Sequence, residues 1–147
     1  MMKNEKDLQR GDFPWHLSIA TRWADNDQYG HINNVTYYSY FDTAVNRHLI
    51  EVADQDPQGD GPIGVVVETG CQFFRPISFP TVVEVGIRIV RLGTSSVTYQ
   101  IGVFAEGQEA LAAVGRFIHV YVDRKAFQTV PIPPTIRSAL EDLYVGE

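Results

Sequence analysis

Val35-Thr36-Tyr37-Tyr38-Ser39-Tyr40-Phe41-Asp42-Thr43-Ala44-Val45-Asn46-Arg47-His48-Leu49-Ile50-Glu51-Val52-Ala53 is the stretch on which the fold turns. Tyr37, Phe41, Ala44, Val45, His48, Leu49 and Val52 fall at helical spacing and make one largely apolar stripe. Asn33 or Asn34 is well suited to cap the start of that helix. A helix of this length spans about 27 Å, close to the width of a small sheet. The acidic stretch with Gly and Pro that follows, residues 54–62, ends it.

Upstream, residues 15–23 alternate, with Trp15, Leu17 and Ile19 apolar and His16, Ser18 and Arg22 between them. That is the period of a half-buried strand. Downstream, everything over residues 63–122 reads as strand. Val83, Val85, Ile87 and Ile89 alternate with polar neighbours, as do Val97, Tyr99, Ile101 and Val103. Leu92-Gly93-Thr94-Ser95 and Glu106-Gly107-Gln108 are short hairpin connections. Pro76 and Pro80 bracket a bend. The last strand, residues 110–122, is apolar on both faces and is expected inside the sheet. Pro131, Pro133 and Pro134 lead into a short amphipathic helix over residues 135–144. The expected architecture is a two-layer α+β domain, one long helix on a five-stranded antiparallel sheet. Residues 13–147 form this single domain, and residues 1–12 read as a flexible N-terminal tail. A helix covers one face of such a sheet only, so the other face and any edge strand call for a further partner, most simply another copy of the chain.

The bulk properties narrow the function. With 147 residues, 44% apolar and 20% charged, the chain is an ordinary globular domain. Its single cysteine, Cys71, leaves no internal disulfide to form. No apolar stretch approaches the roughly 20 residues that cross a bilayer. The N-terminus, MMKNEKDLQRGD, is polar and lacks the apolar segment of a secretory signal, so the cytoplasm is the expected location. A net charge of −6 argues against a broad nucleic-acid surface.

The chemistry is concentrated in Asp25-Asn26-Asp27-Gln28-Tyr29-Gly30-His31-Ile32-Asn33-Asn34, just before the helix. This stretch delivers a carboxylate on a tight loop beside a helix N-terminus. The open N–H groups there carry partial positive charge and can receive an oxyanion. Gly30 permits a sharp turn or a close backbone approach. Acyl transfer from a thioester needs those parts: a group to activate or replace water, and donors aimed at the developing oxyanion.

The run Arg22-Trp23-Ala24-Asp25-Asn26-Asp27-Gln28-Tyr29-Gly30-His31-Ile32-Asn33-Asn34-Val35-Thr36-Tyr37 resembles the start of the hot-dog-fold acyl-CoA thioesterases of the 4-hydroxybenzoyl-CoA thioesterase class. The resemblance extends through Phe73-Phe74-Arg75-Pro76 and Arg91-Leu92-Gly93-Thr94-Ser95-Ser96 to Val120-Tyr121-Val122-Asp123, covering about residues 15–125. It implies that Asp27 is the catalytic aspartate, as nucleophile or as general base on water. It implies that the main-chain N–H of Asn34 is the oxyanion donor, with Gly30 and His31 shaping the thioester site. It further implies an acyl-CoA substrate, no cofactor, and a homodimer or homotetramer with the acyl group near the helix start.

Plainer readings stand beside these. Asp25, Asn26 and Asp27 are residue types that favour turns without any chemistry, and Asp25 is expected to hydrogen-bond the loop. His31 without Cys or Glu at ligand spacing is not expected to bind metal, and a positioning role is favoured. Asn33 and Asn34 are also helix caps. Asp42, where a second branch of the superfamily carries its acid, is read as a solvated or paired position near Asn46 and Arg47. Glu68 and Cys71 have opposite parity on one strand, and Cys71 is read as a small buried residue. Tyr29, Asn33, Tyr37 and Phe73 are the candidate substrate contacts. Tyr38 and Tyr40 are assigned to core or interface. Of Arg75, Arg88, Arg91, Arg116, Arg124 and Lys125, the adjacent pair Arg124 and Lys125 is preferred for the CoA phosphates. A thioesterase therefore leads. The alternatives are a hot-dog hydratase or dehydratase, whose Asp-x-Asn-Pro-x-His spacing is absent, and a non-catalytic acyl-binding protein, which is expected to lack the loop carboxylate.

Overall fold

The helical stripe folds as α1 (Asn34–Glu51), which buries Tyr37, Tyr40, Phe41, Ala44, Val45, His48 and Leu49 along one face. Asn33, in extended backbone, accepts the Val35 N–H on its side-chain oxygen at 3.1 Å, satisfying one amide that a helix start leaves open. Past the C-terminus, the Gln55 N–H reaches the Leu49 carbonyl at 2.9 Å, beside Asp54 at φ 57°. Val52, placed in the stripe by its spacing, lies just beyond the helix and is 49% exposed; Tyr40 is buried in the stripe instead.

The structure, a computed structural model, describes residues 4–146. Around α1 are β1 (Trp15–Ile19), β2 (Ile63–Phe73), β3 (Val83–Leu92), β4 (Ser96–Ala105), β5 (Leu111–Val122) and α2 (Pro134–Glu141). All pairings are antiparallel, in the order β1-β3-β4-β5-β2. β1 stops at Ile19 rather than running to Trp23. The Thr21 hydroxyl binds the Thr81 carbonyl at 2.8 Å, and a 3-10 turn, Trp23–Asp25, takes the chain off the sheet. The β3–β4 hairpin closes with the Gly93 N–H on the Ser96 carbonyl at 2.8 Å, as its turn residues suggest.

The main core lies between α1 and one face of the sheet. Val83, Val85, Ile87 and Ile89 of β3, Tyr99 and Ile101 of β4, and Phe117 of β5 supply the floor. Phe41 sits on Gly115, where an added Cβ would come within 2.4 Å of the ring. Each such buried side chain contributes about 1.5–3 kcal/mol relative to exposure. This contact fixes the height of the helix, and with it the position of its N-terminus.

The opposite face is partly covered by the N-terminal segment. Phe13 lies across Gly86 and Gly102, which are paired opposite each other in β3 and β4. Leu8, Phe13, Phe104, Leu111 and Val114 make a second small core. Over residues 4–12, expected as a flexible tail, two 3-10 turns, Glu5–Asp7 and Arg10–Asp12, run over this face, and Arg10 pairs with Glu84 at 2.8 Å. Burial of Leu8 anchors a segment whose composition is otherwise polar. Residues 1–3 of that tail lie outside the described residues.

The two sheet edges differ. Along β3, β1 pairs with residues 83–87 and the C-terminal chain continues the edge. There the Ile89 N–H meets the Leu143 carbonyl, and the Val145 N–H meets the Ile89 carbonyl, both at 2.8 Å. β2 has no strand on its outer side among the described residues, and Val66, Val67 and Phe73 are exposed along it. No helix among the described residues is long and apolar enough to cross a membrane.

Candidate active site

The loop before α1 is rigidly tied. Asp25 is 2% exposed, and its carboxylate accepts the Arg22 main-chain N–H at 2.9 Å, the Arg22 Nε–H at 3.1 Å and the Tyr40 hydroxyl at 2.8 Å. Burial alone raises the carboxyl pKa; the Arg22 N–H, the Tyr40 hydroxyl and the Arg22 guanidinium outweigh it and hold the group below the usual range. The Asp25 carbonyl also takes the Asn33 N–H at 2.8 Å, joining the start of the loop to its end. Asp25 is thus the structural residue the sequence suggests.

Residues 26–32 form a small antiparallel turn. The Asp27 N–H binds the His31 carbonyl at 2.8 Å and the Gly30 N–H binds the Asp27 carbonyl at 3.1 Å. Gly30 has φ +84°, with open space where a Cβ would be, so backbone conformation rather than crowding requires glycine here. The turn is pinned from the segment after β2. Ser78 donates to the Gly30 carbonyl at 2.7 Å, the Phe79 N–H meets Asn26 Oδ1 at 3.0 Å, and the Ile32 N–H meets the Ile77 carbonyl at 2.8 Å. Asp27 Oδ1 accepts the Tyr29 N–H at 2.8 Å, and its other oxygen takes no hydrogen bond from the described residues.

Two neighbouring depressions flank this loop. The first, an open cleft of about 670 Å³, is lined by Trp23, Ala24, Asn26, Asp27, Gln28, Gly30 and Asn33. The second, of about 270 Å³, is lined by His31, Ile32, Asn34, Tyr37, Phe73, Phe74, Arg75 and Pro76. Asp27, Gly30 and Asn33 therefore share one depression, while His31, Asn34, Tyr37 and Phe73 share the other. Residues 30–34 lie between the two. Tyr37 is buried edge-on against Phe73, with ring centroids 5.1 Å apart. Burial, with a smaller effect from neighbouring Cys71, pushes its phenol up to about 12. Tyr29 is exposed at the tip of the turn and lines neither depression.

Arg124 and Lys125 are not brought to this site. The Arg124 guanidinium donates to the carbonyls of Gly61 at 2.6 Å, Pro57 at 2.7 Å and Asp56 at 3.0 Å, which ties down the loop after α1. Both residues follow the end of β5, whereas the second depression adjoins its start, where the Phe74 and Arg75 N–H groups share the Ala112 carbonyl. Twelve residues of extended chain separate the two ends, roughly 40 Å. Arg75, from the same set of arginines, is the one at the rim of the second depression.

The remaining candidates are accounted for by their contacts. Asp42 is exposed and accepts from the Asn46 amide at 3.2 Å. Glu68 meets Arg116 at 3.0 Å on the outer sheet face, and Cys71 packs toward the core, so the two face opposite ways. Burial pushes the Cys71 thiol up to about 12, which makes it a poor nucleophile. Among the described residues no three His, Cys, Asp or Glu side chains are grouped as a metal site. Trp23 lines the first depression without having been singled out in the sequence, although a tryptophan directly ahead of the Asp25 turn is a local signal. Sequence reasoning also missed Ser78 and Phe79, which have no local signal, because they reach the loop from about fifty positions away.

Residues 21–140 match the family model of the thioesterase-like superfamily. The solved PA5185 protein from Pseudomonas aeruginosa strain PAO1 is 48% identical. It has a TM-score of 0.91, with 95% of this chain and 98% of that chain covered. A thioesterase from Thermus thermophilus, complexed with coenzyme A and Zn, is 31% identical with a TM-score of 0.75, over 90% of this chain and 95% of its own. A 1,4-dihydroxy-2-naphthoyl-CoA thioesterase from Synechocystis, 17% identical, shares the fold, with a TM-score of 0.79 over 87% of this chain and 96% of its own. The hot-dog arrangement expected from the resemblance, one long helix on five antiparallel strands, is the fold of this chain.

Proposed function

The chain belongs to the thioesterase-like superfamily, and from that premise we propose that it hydrolyses an acyl-CoA thioester to the free acid and CoA. The observation that carries the reading is Asp27, a half-buried carboxylate held on one oxygen and open on the other, in a cleft beside the N-terminus of α1.

The thioester lies across residues 30–34, with the acyl group in the second depression and the CoA arm leaving through the first. Asp27 either adds to the carbonyl carbon, giving an anhydride that water then opens, or takes a proton from water as water adds. In both routes the carbon–sulfur bond breaks and the thiolate leaves to be protonated. The Asn34 main-chain N–H, at the positive end of α1, stabilises the oxyanion. Gly30 allows the turn that presents Asp27, Asn33 holds the helix start, and His31 positions the thioester at the rim. Tyr37 and Phe73, with Ile32, supply the apolar walls for the acyl group, while Tyr29 flanks the mouth. Neither cofactor nor metal enters this scheme. Phosphate contacts through Arg124 and Lys125 are left out of it, because Arg124 is occupied by the 54–62 loop.

The partner is a second copy of the chain along the free β2 edge, whose exposed Val66, Val67 and Phe73 suit a continued sheet. A homodimer, or a homotetramer built from two, acts in the cytoplasm on this reading, without nucleic acid or membrane as partner. The experiment is a free-thiol assay of the purified protein against acyl-CoAs of graded length, branching and aromaticity. Catalytic thiol release from at least one member supports the reading. None from any of them, with the protein folded, overturns it.

A further inference from the structure

Trp23 is 77% exposed, although its indole is among the side chains that gain most from burial. It stands on the 3-10 turn Trp23–Asp25, which the fold immobilises through the buried Asp25 carboxylate and its bonds to Arg22 and Tyr40. Its ring meets the edge of Phe79, with centroids 5.9 Å apart and an interplanar angle of 78°. Phe79 is itself fixed by its N–H on Asn26 Oδ1. An indole thus stands on a pinned turn, with one ring contact and most of its surface open, on the wall of the cleft that contains Asp27.

We infer that Trp23 is a stacking platform for the adenine base of CoA. The inference rests on the proposed reading of this cleft as the exit of the CoA arm. An acyl group needs enclosed apolar walls, which the second depression supplies through Ile32, Tyr37 and Phe73. A purine has apolar faces and polar edges, so it is served by one exposed ring and open water around it.

Two measurements test this. In kinetics, Trp23→Leu and Trp23→Ala are expected to raise KM for acyl-CoA about tenfold, with kcat within about twofold and Trp23→Phe retaining most of the affinity, the loss expected of one stacked base. The same acyl groups on N-acetylcysteamine, which has no nucleotide, are expected to show a much smaller change. Equal losses on both carriers, or losses confined to aromatic acyl groups, overturn the assignment. In binding, Trp15→Phe leaves Trp23 as the single tryptophan, and the difference between wild type and Trp23→Phe reads the same signal without touching Trp15. Its emission is expected at the long wavelength of a hydrated indole and is quenched by CoA and by adenosine 3′,5′-bisphosphate, but not by pantetheine. Emission already at short wavelength in the free protein, or quenching by pantetheine alone, overturns it. Quenching by CoA in a protein that hydrolyses no acyl-CoA supports the platform while removing the hydrolase reading.

Discussion

Replacing Gly115 with alanine puts a methyl group where Phe41 already lies. The new Cβ stands 2.4 Å from Cε2 and 2.5 Å from Cζ of that ring. Carbon atoms rest about 3.5–4.0 Å apart, so the ring must retreat by roughly 1.1 Å or more. It has no open direction, since Phe41 is fully buried and meets the Tyr38 ring at 5.7 Å. The Gly115 backbone cannot yield either, being paired with Ile101 on one side and Cys71 on the other. Overpacking of this kind costs about 2 kcal/mol, and in a domain of this size that lowers Tm by about 4–8 °C. The displacement passes to α1 and moves the Asn34 amide relative to Asp27. Thiol release is therefore expected to fall tenfold or more, given that a 1 Å misplacement can cost about 100-fold. The assay is thermal unfolding of Gly115→Ala, Phe41→Leu and the double variant, with thiol release measured on each. Because leucine vacates the space the methyl needs, the pair should couple favourably by about 1 kcal/mol or more. An alanine variant that melts within about 1 °C of the parent, with additive effects in the pair, refutes the idea that Phe41 on Gly115 sets the helix height.

Tyr40→Phe removes a donor from the buried Asp25 carboxylate and is expected to cost about 2 kcal/mol at pH 7 in urea unfolding. The Asp25 pKa is lower folded than unfolded, so its stabilisation is present above the unfolded value of 3.8 and lost as pH falls through the folded one. The gap between Tyr40→Phe and wild type should accordingly narrow in acid. His119, 2% exposed among Tyr99, Phe117 and Tyr121, has an unpartnered Nδ1, and burial lowers its pKa from 6.5 to about 4. The unfolded chain then binds the extra proton between those values, so stability falls by about 3 kcal/mol as pH drops from 6.5 toward 4. His119→Phe should flatten that slope in denaturant titrations at several pH values; buried His48, shifted in the same direction, leaves a residual slope. Arg124→Ala should leave KM for acyl-CoA within about twofold, the range of an ordinary surface substitution, while limited proteolysis cuts the 54–62 loop faster. A large KM increase there instead would return Arg124 to the CoA site.

The parts of the molecule legible in the sequence are those with a local period or a local turn. The α1 stripe repeats every three or four residues against a single sheet face. β3 and β4 alternate because one of their faces is core, and their hairpin is marked by Gly93. The loop over residues 25–34 was legible as a carboxylate beside a helix start, since Asn33 caps α1 eight positions after Asp25. The illegible parts are contacts made across the chain. Ser78 and Phe79 brace the loop from beyond β2, residues 143–145 complete the β3 edge, and Phe13 finds the flat patch of Gly86 and Gly102. The surroundings of Arg124 were illegible for the same reason. Adjacent basic residues at a strand end look free until the carbonyls of Asp56, Pro57 and Gly61 fold against them. The division of the loop residues between two depressions is likewise set by Phe73 and Pro76 from β2 and its exit, which no local pattern reveals.

The central claim is that Asp27 carries the chemistry, and Asp27→Asn tests it most directly. The amide is nearly isosteric and keeps an oxygen for the Tyr29 N–H, so the circular dichroism spectrum, Tm and oligomeric state should match the parent. Thiol release from the best acyl-CoA, measured under single-turnover conditions, is expected to fall by about two orders of magnitude or more. Release at a rate comparable to the parent, from a folded Asp27→Asn protein, contradicts the account.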